Sequence, residues 1–522
     1  MTSAARPLAA LLEGLVPAAT IDAIGSETSI EDIGLDSRTL GRGALFLACR
    51  GRRTHGLRSA GEAIARGARA IAYEPTADID TALIAQLRAS AAVELIAVPE
   101  LSAQASRIAD RFFAAPSRQL QIAGITGTNG KTTTAWLVAS ALQAAGSRCA
   151  YMGTLGVGEP PDSVIAGEYT TADAVTVQRQ LAAVRAGGAQ CVAMEVSSHA
   201  LDQHRVDAVN FRVAAFTNLT RDHLDYHGTM AAYGAAKARL FAMPELASCV
   251  VNVDDAFGLQ LAERQVARMP TWLIARDAGL ADAQRLAGRH ANVHVLHAEA
   301  VQATARGQRI RLRDGTQSIV FDVPLLGDFN VENVLVAIGV LEALGFERAR
   351  AAAALADVAA PPGRMELISA PGRPLAIVDY AHTPDALGKV LRAARGHCRG
   401  RLRVVFGCGG ERDRGKRPEM GRIAAEFADD LVITDDNPRG ESPAAIAADI
   451  VAGLPAPHVA QVVHDRATAI RVALDGAAAD DIVLIAGKGH ESYQLVGDER
   501  RDFSDRGVVR AAFAATSTGD VT

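Results

Sequence analysis

Short, largely apolar runs alternate with longer stretches of helical hydrophobic spacing through the middle of the chain. The run at residues 120–125 predicts a buried strand, and the apolar positions between residues 132 and 145 recur with helical periodicity. Two further strand-like runs follow at residues 191–196 and 213–216. Strands that alternate with helices in this way predict a mostly parallel sheet covered on both faces.

The last third of the chain repeats this alternation more regularly. Four strands are predicted there, at residues 376–379, 403–406, 431–434 and 482–486. Helices follow the first three strands and begin near Pro384, near Pro418 and after a capping residue, Ser442. The pattern is doubly wound, and such sheets bind ligands at the carboxyl ends of their strands.

The chain separates into three blocks. A length of 522 residues allows three or four domains at about 100–200 residues each. Residues 1–110 mix short strands with alanine-rich helices, whereas residues 111–358 and 359–522 carry the two alternating patterns. We therefore predict an α/β protein with a small N-terminal domain, a central domain on a mostly parallel sheet, and a C-terminal Rossmann-like doubly wound domain.

Composition and charge exclude several classes of function. The 54 Lys and Arg residues against 59 Asp and Glu give a net charge of −5, and aromatic residues make up 4% of the chain. Neither value suits a general nucleic-acid binder or an aromatic platform for bases. No apolar run approaches the roughly 18 residues of a membrane span, and Glu13 interrupts the apolar start at residues 8–12. Six cysteines without a CxxC pair fit reduced thiols, and we expect a cytoplasmic protein.

The strongest local signal is the sequence GITGTNGKTT at residues 124–133, between the first strand and the first helix predicted in the central block. A glycine-rich loop in this position presents backbone N–H groups that suit a polyphosphate. Lys131 would reach the β- and γ-phosphates, and the Thr132 hydroxyl would bind Mg²⁺. The strict pattern G-x-x-x-x-G-K-T fails at Ile125, so the loop is a variant, and an ordinary glycine-rich turn is the alternative.

Two polar clusters and one lysine follow in the same block. Glu195 ends a strand and could supply a second Mg²⁺ ligand, but a carboxylate here could also cap the next helix. Residues 222–227 contain two histidines and two aspartates, which suits a metal or catalytic site but also a polar loop that satisfies its own hydrogen bonds. Lys237 lies inside a predicted helix, and the pattern alone indicates a surface lysine.

Three polar clusters follow strands of the last block. Residues 378–385 place polar side chains at a strand end, and residues 407–417 form a second glycine-rich loop with four cations. That loop suits an anionic substrate or, alternatively, is a flexible solvated loop. In residues 435–439, Arg439 could hold a carboxylate through two N–H groups and Asp436 could accept from an ammonium, although such a sequence is also common in turns.

Taken in order, these motifs resemble the Mur ligase superfamily of peptidoglycan synthesis. The segments that carry the resemblance are residues 36–38 (DSR), 126–133 (TGTNGKTT), 195–199 (EVSSH), 217–219 (TNL), 222–225 (DHLD), 363–366 (GRME), 379–384 (DYAHTP) and 487–491 (GKGHE). Residues 436–439 (DNPR) resemble the signature of the members that add meso-diaminopimelate. Lysine-adding members lack the arginine at the last position, and that cation would match the second carboxylate of diaminopimelate.

The resemblance implies a set of ligand contacts for each domain. The N-terminal domain would bind the UDP end of the substrate through Leu35, Ser37, Arg52, Arg53 and Thr54. The phosphate loop would bind ATP through Gly127, Thr128, Asn129, Gly130, Lys131, Thr132 and Thr133, and the adenine, ribose or phosphates would also meet Asn330, Asn333, Arg364 and Asp379. The muramoyl dipeptide would contact Tyr169, Thr170, Thr171, Ser197, Gln203 and Arg205. The incoming amino acid would contact Arg412, Asp436, Asn437, Pro438, Arg439, Gly487 and Glu491. Tyr169 and Ala172 stand where the family usually has Asn and Pro.

The resemblance also implies the reaction. The catalytic residues would be Lys131, Lys237, His223 and Glu195, and Mg²⁺ would be bound by Thr132, Glu195, His223 and a carbamate on Lys237. ATP would phosphorylate the γ-carboxylate of D-glutamate in UDP-N-acetylmuramoyl-L-alanyl-D-glutamate, and the amine of meso-2,6-diaminopimelate would attack the acyl phosphate. We expect a monomer without a nucleic-acid partner, in which closure of the third domain assembles the site.

Three other functions stay open on sequence grounds. Folylpolyglutamate synthase shares the phosphate loop and the carbamylated lysine, but we do not expect it to carry DNPR or an N-terminal UDP domain. A P-loop kinase or nucleotide-driven switch would release phosphate without forming an amide and needs no third domain. A UDP-sugar-binding protein without catalysis is disfavoured by the intact GKTT at residues 130–133.

Overall fold

The computed structural model of the protein describes residues 5–25, 28–51, 54–77, 79, 81–89, 93–167, 169–315 and 317–517. The predicted UDP contacts Arg52 and Arg53 lie outside these residues. The chain divides into two compact units, Met1–Val295 with Gly339–Phe346, and Leu296–Ile338 with Glu347–Thr522. The boundaries at residues 110 and 358 stay a prediction.

The first part of the first unit is built on a parallel sheet. Its elements are β1 (Arg6–Pro7), α1 (Leu8–Leu12), α2 (Ala18–Ala23), β2 (Ser29–Ile30), β3 (Asp32–Gly34), β4 (Ala44–Ala48), α3 (Ala60–Ala65), β5 (Ala70–Tyr73), α4 (Thr81–Ala89), β6 (Glu94–Ala97) and α5 (Leu101–Phe112). Strands β3, β4, β5 and β6 pair in that order, all parallel. Leu8, Leu45 and Ile108 belong to one apolar core, which therefore joins α1 and α5 to a face of this sheet.

The second part of this unit contains the predicted central sheet. Its elements are β7 (Gln121–Thr126), α6 (Lys131–Ala144), β8 (Cys149–Gly153), β9 (Gly156–Gly158), α7 (Ala174–Ala186), β10 (Cys191–Glu195), α8 (Ser198–Asp202), β11 (Val213–Phe216), α9 (Leu224–His227), α10 (Met230–Ala238), β12 (Ser248–Asn252), α11 (Ala256–Gln265), β13 (Thr271–Ala275) and α12 (Leu280–Ala287). Strands run in the order β13-β12-β11-β7-β10-β8-β9, and all pairs but β8–β9 are parallel. The mostly parallel sheet is confirmed, and β7, β10 and β11 end at the same edge.

The remaining elements lie mainly in the second unit. They are β14 (Val293–Thr304), β15 (Gly307–Asp314), β16 (Gln317–Val323), α13 (Asp328–Ala343), α14 (Arg348–Leu355), β17 (Glu366–Ile368), β18 (Leu375–Asp379), α15 (Pro384–His397), β19 (Leu402–Phe406), α16 (Lys416–Phe427), β20 (Asp430–Ile433), α17 (Pro443–Val451), β21 (Ala460–Val462), α18 (Arg466–Asp475), β22 (Ile482–Ala486), β23 (Tyr493–Val496), β24 (Glu499–Asp502) and α19 (Asp505–Ser517). Strands β14 to β16 pair antiparallel in sequence order. Strands β23 and β24 form an antiparallel hairpin of their own.

The doubly wound C-terminal sheet is also confirmed. Its order is β17-β18-β22-β19-β20-β21, and only β17 is antiparallel. Val404 and Leu484 enter one buried cluster, whereas their neighbours Val405 and Val483 enter another. Because successive side chains of a strand point to opposite faces, both faces of this sheet are covered.

Two expectations about the whole chain can be compared with the structure. In the part of the chain that the structure describes, no helix has the length and apolar character needed to cross a membrane. All six cysteines lie in described ranges, and they are free thiols.

Candidate active site

The loop between β7 and α6 has a backbone that requires glycine at one position. Gly127 has a φ of 152°, and a Cβ there would lie 1.9 Å from the Thr217 Oγ1. That hydroxyl donates to the Asn129 carbonyl at 2.6 Å and so closes the loop against the end of β11. A side chain at residue 127 would therefore displace the loop, which explains the glycine that the sequence motif marks.

Two lysine side chains converge on the carbonyl of this glycine. Lys131 Nζ donates to the Gly127 oxygen at 3.0 Å and to the Thr128 oxygen at 2.8 Å, and Lys237 Nζ donates to the same Gly127 oxygen at 2.7 Å. Lys237 is 1% exposed, and its Nζ lies 4.3 Å from the centre of the Tyr233 ring. Burial and the nearby Lys131 charge hold the pKa of Lys237 well below its usual value.

The surface position that the helical pattern indicated for Lys237 is therefore wrong. Helix α10 (Met230–Ala238) buries the face that carries Tyr233, Gly234 and Lys237. A Cβ on Gly234 would approach Phe257 to 2.7 Å, so the absence of a side chain there lets α10 pack closely. Small residues on both faces of a helix give little hydrophobic contrast, and the pattern therefore could not identify the buried face.

Glu195 is a fully buried carboxylate at the end of β10. It accepts hydrogen bonds from the Thr132 hydroxyl at 2.9 Å, from the Thr154 backbone N–H at 2.9 Å and from the Tyr151 hydroxyl. The alternative role as a helix cap is wrong, because Ser197 caps α8. Tyr151 is a contact that sequence reasoning missed, since a tyrosine within an apolar strand reads as core.

The cluster at residues 222–227 forms an aromatic assembly and is more than a polar loop. The His223 ring lies 4.9 Å from that of His199 and 6.0 Å from that of Tyr233, and His223 Nε2 is 3.5 Å from Asp222 Oδ2. Burial and the neighbouring imidazoles lower the pKa of His199 to about 4. Since Tyr233 also contacts Lys237, His223 and the buried lysine flank the same ring.

Most predicted dipeptide contacts gather beside Glu195. The side chain of Thr171 donates to the Glu195 carbonyl at 2.9 Å and accepts from the Ser197 N–H at 3.1 Å. Arg205 Nη1 donates to the Thr171 carbonyl at 2.8 Å, while its Nη2 donates to Gln203 Oε1 at 2.6 Å. Thr170 lies in the same group through a 3.0 Å bond from the Thr154 hydroxyl. The side chain of Tyr169 is not packed into this cluster, because the residue is 66% exposed.

The three described UDP candidates have different surroundings. Ser37 is buried, and its hydroxyl donates to Glu62 Oε2 at 2.6 Å. Leu35 is half-buried against the N-terminal core, and Thr54 is exposed. The structure therefore does not place these three residues in one common environment.

The predicted adenine, ribose and phosphate contacts are largely buried. Asn333 Nδ2 donates to Asn330 Oδ1 at 2.9 Å, and Asn330 in turn donates to a backbone carbonyl at 2.8 Å. Asp379 accepts from two backbone N–H groups at 2.7 and 2.8 Å, and burial raises its pKa. The Arg364 guanidinium lies over the Tyr380 ring, with its central carbon 4.7 Å from the ring centre.

The predicted amino-acid contacts of the C-terminal sheet surround a buried lysine. Lys488, which is 0% exposed, donates to Asn437 Oδ1 and to Glu491 Oε2, both at 3.0 Å. Asn437 Nδ2 also donates to Glu491 Oε2 at 3.2 Å. A Cβ on Gly487 would lie 2.8 Å from Asp436 Oδ2, so these segments touch closely. Lys488 lies within the GKGHE motif, but sequence reasoning did not assign it to the site.

The backbone of Arg439 is held by the β23–β24 hairpin. Its N–H donates to the Leu495 carbonyl at 3.1 Å, and its carbonyl accepts from the Gly497 N–H at 2.8 Å. Its Nη1 donates to the Gly410 carbonyl at 2.9 Å, and Pro438 beside it is buried. Arg439 therefore lies between the hairpin and the second glycine-rich loop.

That second loop, residues 407–417, is less available to an anion than its four cations suggested. Arg417 is fully buried and donates to Glu441 through two nitrogens, at 2.7 and 2.8 Å, and Arg414 donates to the same carboxylate at 2.6 Å. The pKa of Glu441 is lowered to about 2, chiefly by the hydrogen bonds from Arg417. Lys416 donates to a backbone carbonyl, whereas Arg412 is exposed. The prediction is wrong for Arg414 and Arg417, because Arg414 is paired with Glu441 and Arg417 with both Glu441 and Asp449.

Fold and site together define an α/β protein in which a glycine-rich loop of the phosphate-binding type, a buried carboxylate and a buried lysine lie at one sheet edge. Three family models match the chain: "Mur ligase family, catalytic domain" at residues 29–113, "Mur ligase middle domain" at residues 125–341, and "Mur ligase, glutamate ligase domain" at residues 363–489.

Individual proteins are similar over nearly the whole length. The chain is 45% identical to the UDP-N-acetylmuramoyl-L-alanyl-D-glutamate–2,6-diaminopimelate ligase of Ectopseudomonas mendocina, over 97% of this chain and 98% of that protein. It is 47% identical to the protein of the same name from Xanthomonas campestris pv. campestris, over 94% and 95% of the two chains. A solved structure of a ligase of that name matches with a TM-score of 0.66 and 34% identity, over 94% of this chain and 96% of the other. The chain belongs to the Mur ligase family.

Proposed function

We propose that this protein is an ATP-dependent ligase that joins meso-2,6-diaminopimelate to the D-glutamate γ-carboxylate of UDP-N-acetylmuramoyl-L-alanyl-D-glutamate. The observation that carries the proposal is the 45–47% identity, over more than nine-tenths of both chains, to relatives named for these two reactants. The DNPR segment at residues 436–439 supports the same amino acid, since it brings a cation to the pocket.

ATP would bind at the loop between β7 and α6. Lys131 now donates to the carbonyls of Gly127 and Thr128, and phosphate oxygens are stronger acceptors for an ammonium. The side chain would therefore turn to the β- and γ-phosphates, while the loop N–H groups would hold the phosphate oxygens. In the second unit, Asn330, Asn333, Arg364 and Asp379 are our proposed contacts for the rest of the nucleotide.

The residues around Glu195 and Lys237 fit a magnesium site. Thr132 and Glu195 offer oxygen ligands that are already joined by a 2.9 Å hydrogen bond. The imidazole of His223, whose ring lies 6.0 Å from that of Tyr233, is our proposed ligand on the side of Lys237. The lowered pKa of the buried Lys237 favours its neutral amine, which is the form that adds CO₂ to give a carbamate. When bound, Mg²⁺ would neutralise charge on the phosphates.

The chain's own residues would orient the acyl group. Thr171, Ser197, Gln203 and Arg205 form one hydrogen-bonded group, and Arg205 supplies the cation that suits the dipeptide carboxylates. Phosphorylation of the γ-carboxylate replaces oxide, a poor leaving group, by phosphate. The positive charge of Lys131 would stabilise the transferring phosphoryl group, so that positioning and electrostatics carry most of the acceleration.

The amino acid would enter the pocket around Lys488. Asp436 and Glu491 can accept from an ammonium, and Arg439 can pair with the distal carboxylate of diaminopimelate. Lysine lacks that carboxylate and would leave the guanidinium without its anion, so the pocket would discriminate against it. For the UDP group of the other substrate, our proposed contacts are Leu35, Ser37 and Thr54.

One assay tests the proposal. Purified protein receives Mg-ATP, UDP-N-acetylmuramoyl-L-alanyl-D-glutamate and either meso-diaminopimelate or lysine, and both phosphate release and product mass are recorded; a reaction without the nucleotide-sugar substrate is the control. We expect an amide product with diaminopimelate and one phosphate per amide. Phosphate without an amide would favour a kinase or nucleotide-driven switch. A strong preference for lysine would contradict the role given to Arg439.

A further inference from the structure

Lys488, in the second unit, has a side chain that is buried throughout. It follows β22 directly, and its Nζ lies 3.0 Å from Glu491 Oε2 and 3.8 Å from Asp436 Oδ1. A buried ammonium is costly unless charged and hydrogen-bonding partners compensate it. Here the compensation comes from residues that we assign to the amino-acid pocket, so the lysine and the pocket are parts of one arrangement.

The charges around Lys488 leave a surplus of one negative charge. Two carboxylates, Asp436 and Glu491, lie beside the single ammonium of Lys488. The next cation, Arg466, adds no net charge to this count, because its Nε and Nη2 donate to the buried Asp505 at 2.7 and 2.8 Å. One carboxylate charge therefore remains for the ammonium of an incoming amino acid.

Lys488 also connects the two segments that form the pocket. Asn437 Oδ1 accepts from Lys488 Nζ and from the Leu495 N–H, at 3.0 and 2.9 Å. Leu495 lies in the hairpin strand β23, and its carbonyl accepts the Arg439 N–H. The ammonium thus joins Glu491 to Asn437, and Asn437 in turn joins the hairpin that holds Arg439.

We propose that Lys488 is a positioning residue for the amino-acid substrate. It fixes Glu491 against Asn437, and through them it sets the affinity for diaminopimelate and the discrimination against lysine. The inference rests on the proposed function and goes beyond it, because no substrate atom needs to touch Lys488.

The test compares Lys488→Met and Lys488→Gln with the control Lys389→Met. Lys389 lies on α15, is partly exposed and pairs with Asp385 at 2.7 Å, so its loss removes a lysine charge away from the pocket. Hydrogen bonds to charged groups are strong enough that we expect Lys488→Met to raise the KM for diaminopimelate roughly tenfold or more. The KM for ATP should stay near that of the parent, and the preference for diaminopimelate over lysine should narrow. Lys488→Gln should show a smaller change, because its amide can still donate to one partner.

A second measurement separates positioning from a general structural role. If Lys488 acts through Asn437, Lys488→Met should raise the KM much less in an Asn437→Ala background than in the parent. Thermal unfolding checks that each variant folds. If Lys488→Met does not fold, Lys488→Gln is judged by the same criteria, and if neither folds, Lys488 is a folding residue and the inference is wrong.

The other outcomes are distinct. A parent protein that forms no amide would refute the proposed function itself. An active parent whose two Lys488 variants keep the parental KM for diaminopimelate would refute only the inference, as would an equal rise in the KM for ATP.

Discussion

The two units each bury a lysine at a proposed substrate pocket, but the partners of the two amines differ. Lys237 donates to the neutral carbonyl of Gly127 and lies close to the cation Lys131. Lys488 donates to Glu491 and Asn437, with Asp436 a little farther away. Burial penalises the charged form of an amine unless a counter-charge compensates it. The first environment favours a neutral amine that can be modified, whereas the second surrounds the amine with the carboxylate and amide oxygens that it holds together.

The largest effect should come from the lysine with the neutral partner. Lys237→Ala removes the amine that we propose to carry a carbamate, and loss of one electrostatic group at a reacting centre costs roughly 10²–10³-fold in rate. Added formate or acetate should restore part of the activity, because a free carboxylate can occupy the vacated space. Ligase assays with and without the added anion measure both effects, and Lys389→Ala is the control. Full activity of Lys237→Ala without an added carboxylate would show that no carbamate is needed.

The second prediction concerns Gly127, whose carbonyl accepts hydrogen bonds from both Lys131 and Lys237, and its effect should be smaller. Gly127→Ala would force a Cβ to within 1.9 Å of Thr217 Oγ1 in a left-handed backbone, whereas Gly146, also left-handed with a φ of 83°, has open space around its Cβ position. Gly146→Ala should lose about 1–2 kcal/mol of unfolding free energy, and Gly127→Ala should lose clearly more, together with ATP affinity. Denaturant unfolding and nucleotide titration check the pair. Equal stability of the two variants would mean that the loop accommodates a side chain.

The difference between the pockets also explains what the sequence could predict. The phosphate loop was recognisable because its glycines, lysine and threonine are consecutive residues, and its strand and helix were located to within one residue. The burial of Lys237 could not be recognised from the sequence, because its partner Gly127 is 110 residues away in the chain. The burial of Lys488 was hidden for the same reason, because its hydrogen-bond partner Asn437 is 51 residues away.

The second glycine-rich loop shows the same limit of local sequence, but here the sequence predicted a site instead of missing one. A count of its cations predicted an anion site, yet Arg414 and Arg417 are paired with Glu441, which lies outside the loop. Local sequence reports which charges a loop carries but not which of them a distant residue neutralises. Family resemblance named the pocket residues that touch ligands, and it did not name Tyr151 or Lys488, which act on those residues.

The third prediction concerns the pocket with the ion-paired lysine. Arg439→Ala should raise the KM for diaminopimelate roughly 10–100-fold, since a hydrogen bond to a charged group contributes about 1.5–3 kcal/mol, and should leave the KM for ATP unchanged. Steady-state kinetics with each substrate varied in turn measure the two KM values separately. Arg422→Ala is the control, because Arg422 is exposed and pairs with Glu426 at 3.2 Å. An equal loss of ATP affinity would contradict the separate assignment of the two pockets.

The smallest effect concerns acid stability near the second pocket. Burial, with the charges of Arg364 and Arg506, lowers the pKa of His490 from 6.5 to about 4. Between these pH values the unfolded chain binds a proton that the folded chain does not, so the unfolding free energy contributed by His490 falls as the pH drops through that window. Asp379 acts in the opposite direction, because its pKa is raised in the folded state. His490→Gln should therefore make the second unit less sensitive to acid between about pH 6.5 and pH 4, while leaving the Asp379 contribution in place. Denaturant unfolding at several pH values measures the slope, with His458→Gln as the control because His458 is exposed. A slope as steep as that of the parent would mean that the pKa of His490 is the same in the folded and the unfolded protein. An imidazolium would then lie close to Arg364 at acidic pH, and burial would not be what sets the charge of this histidine.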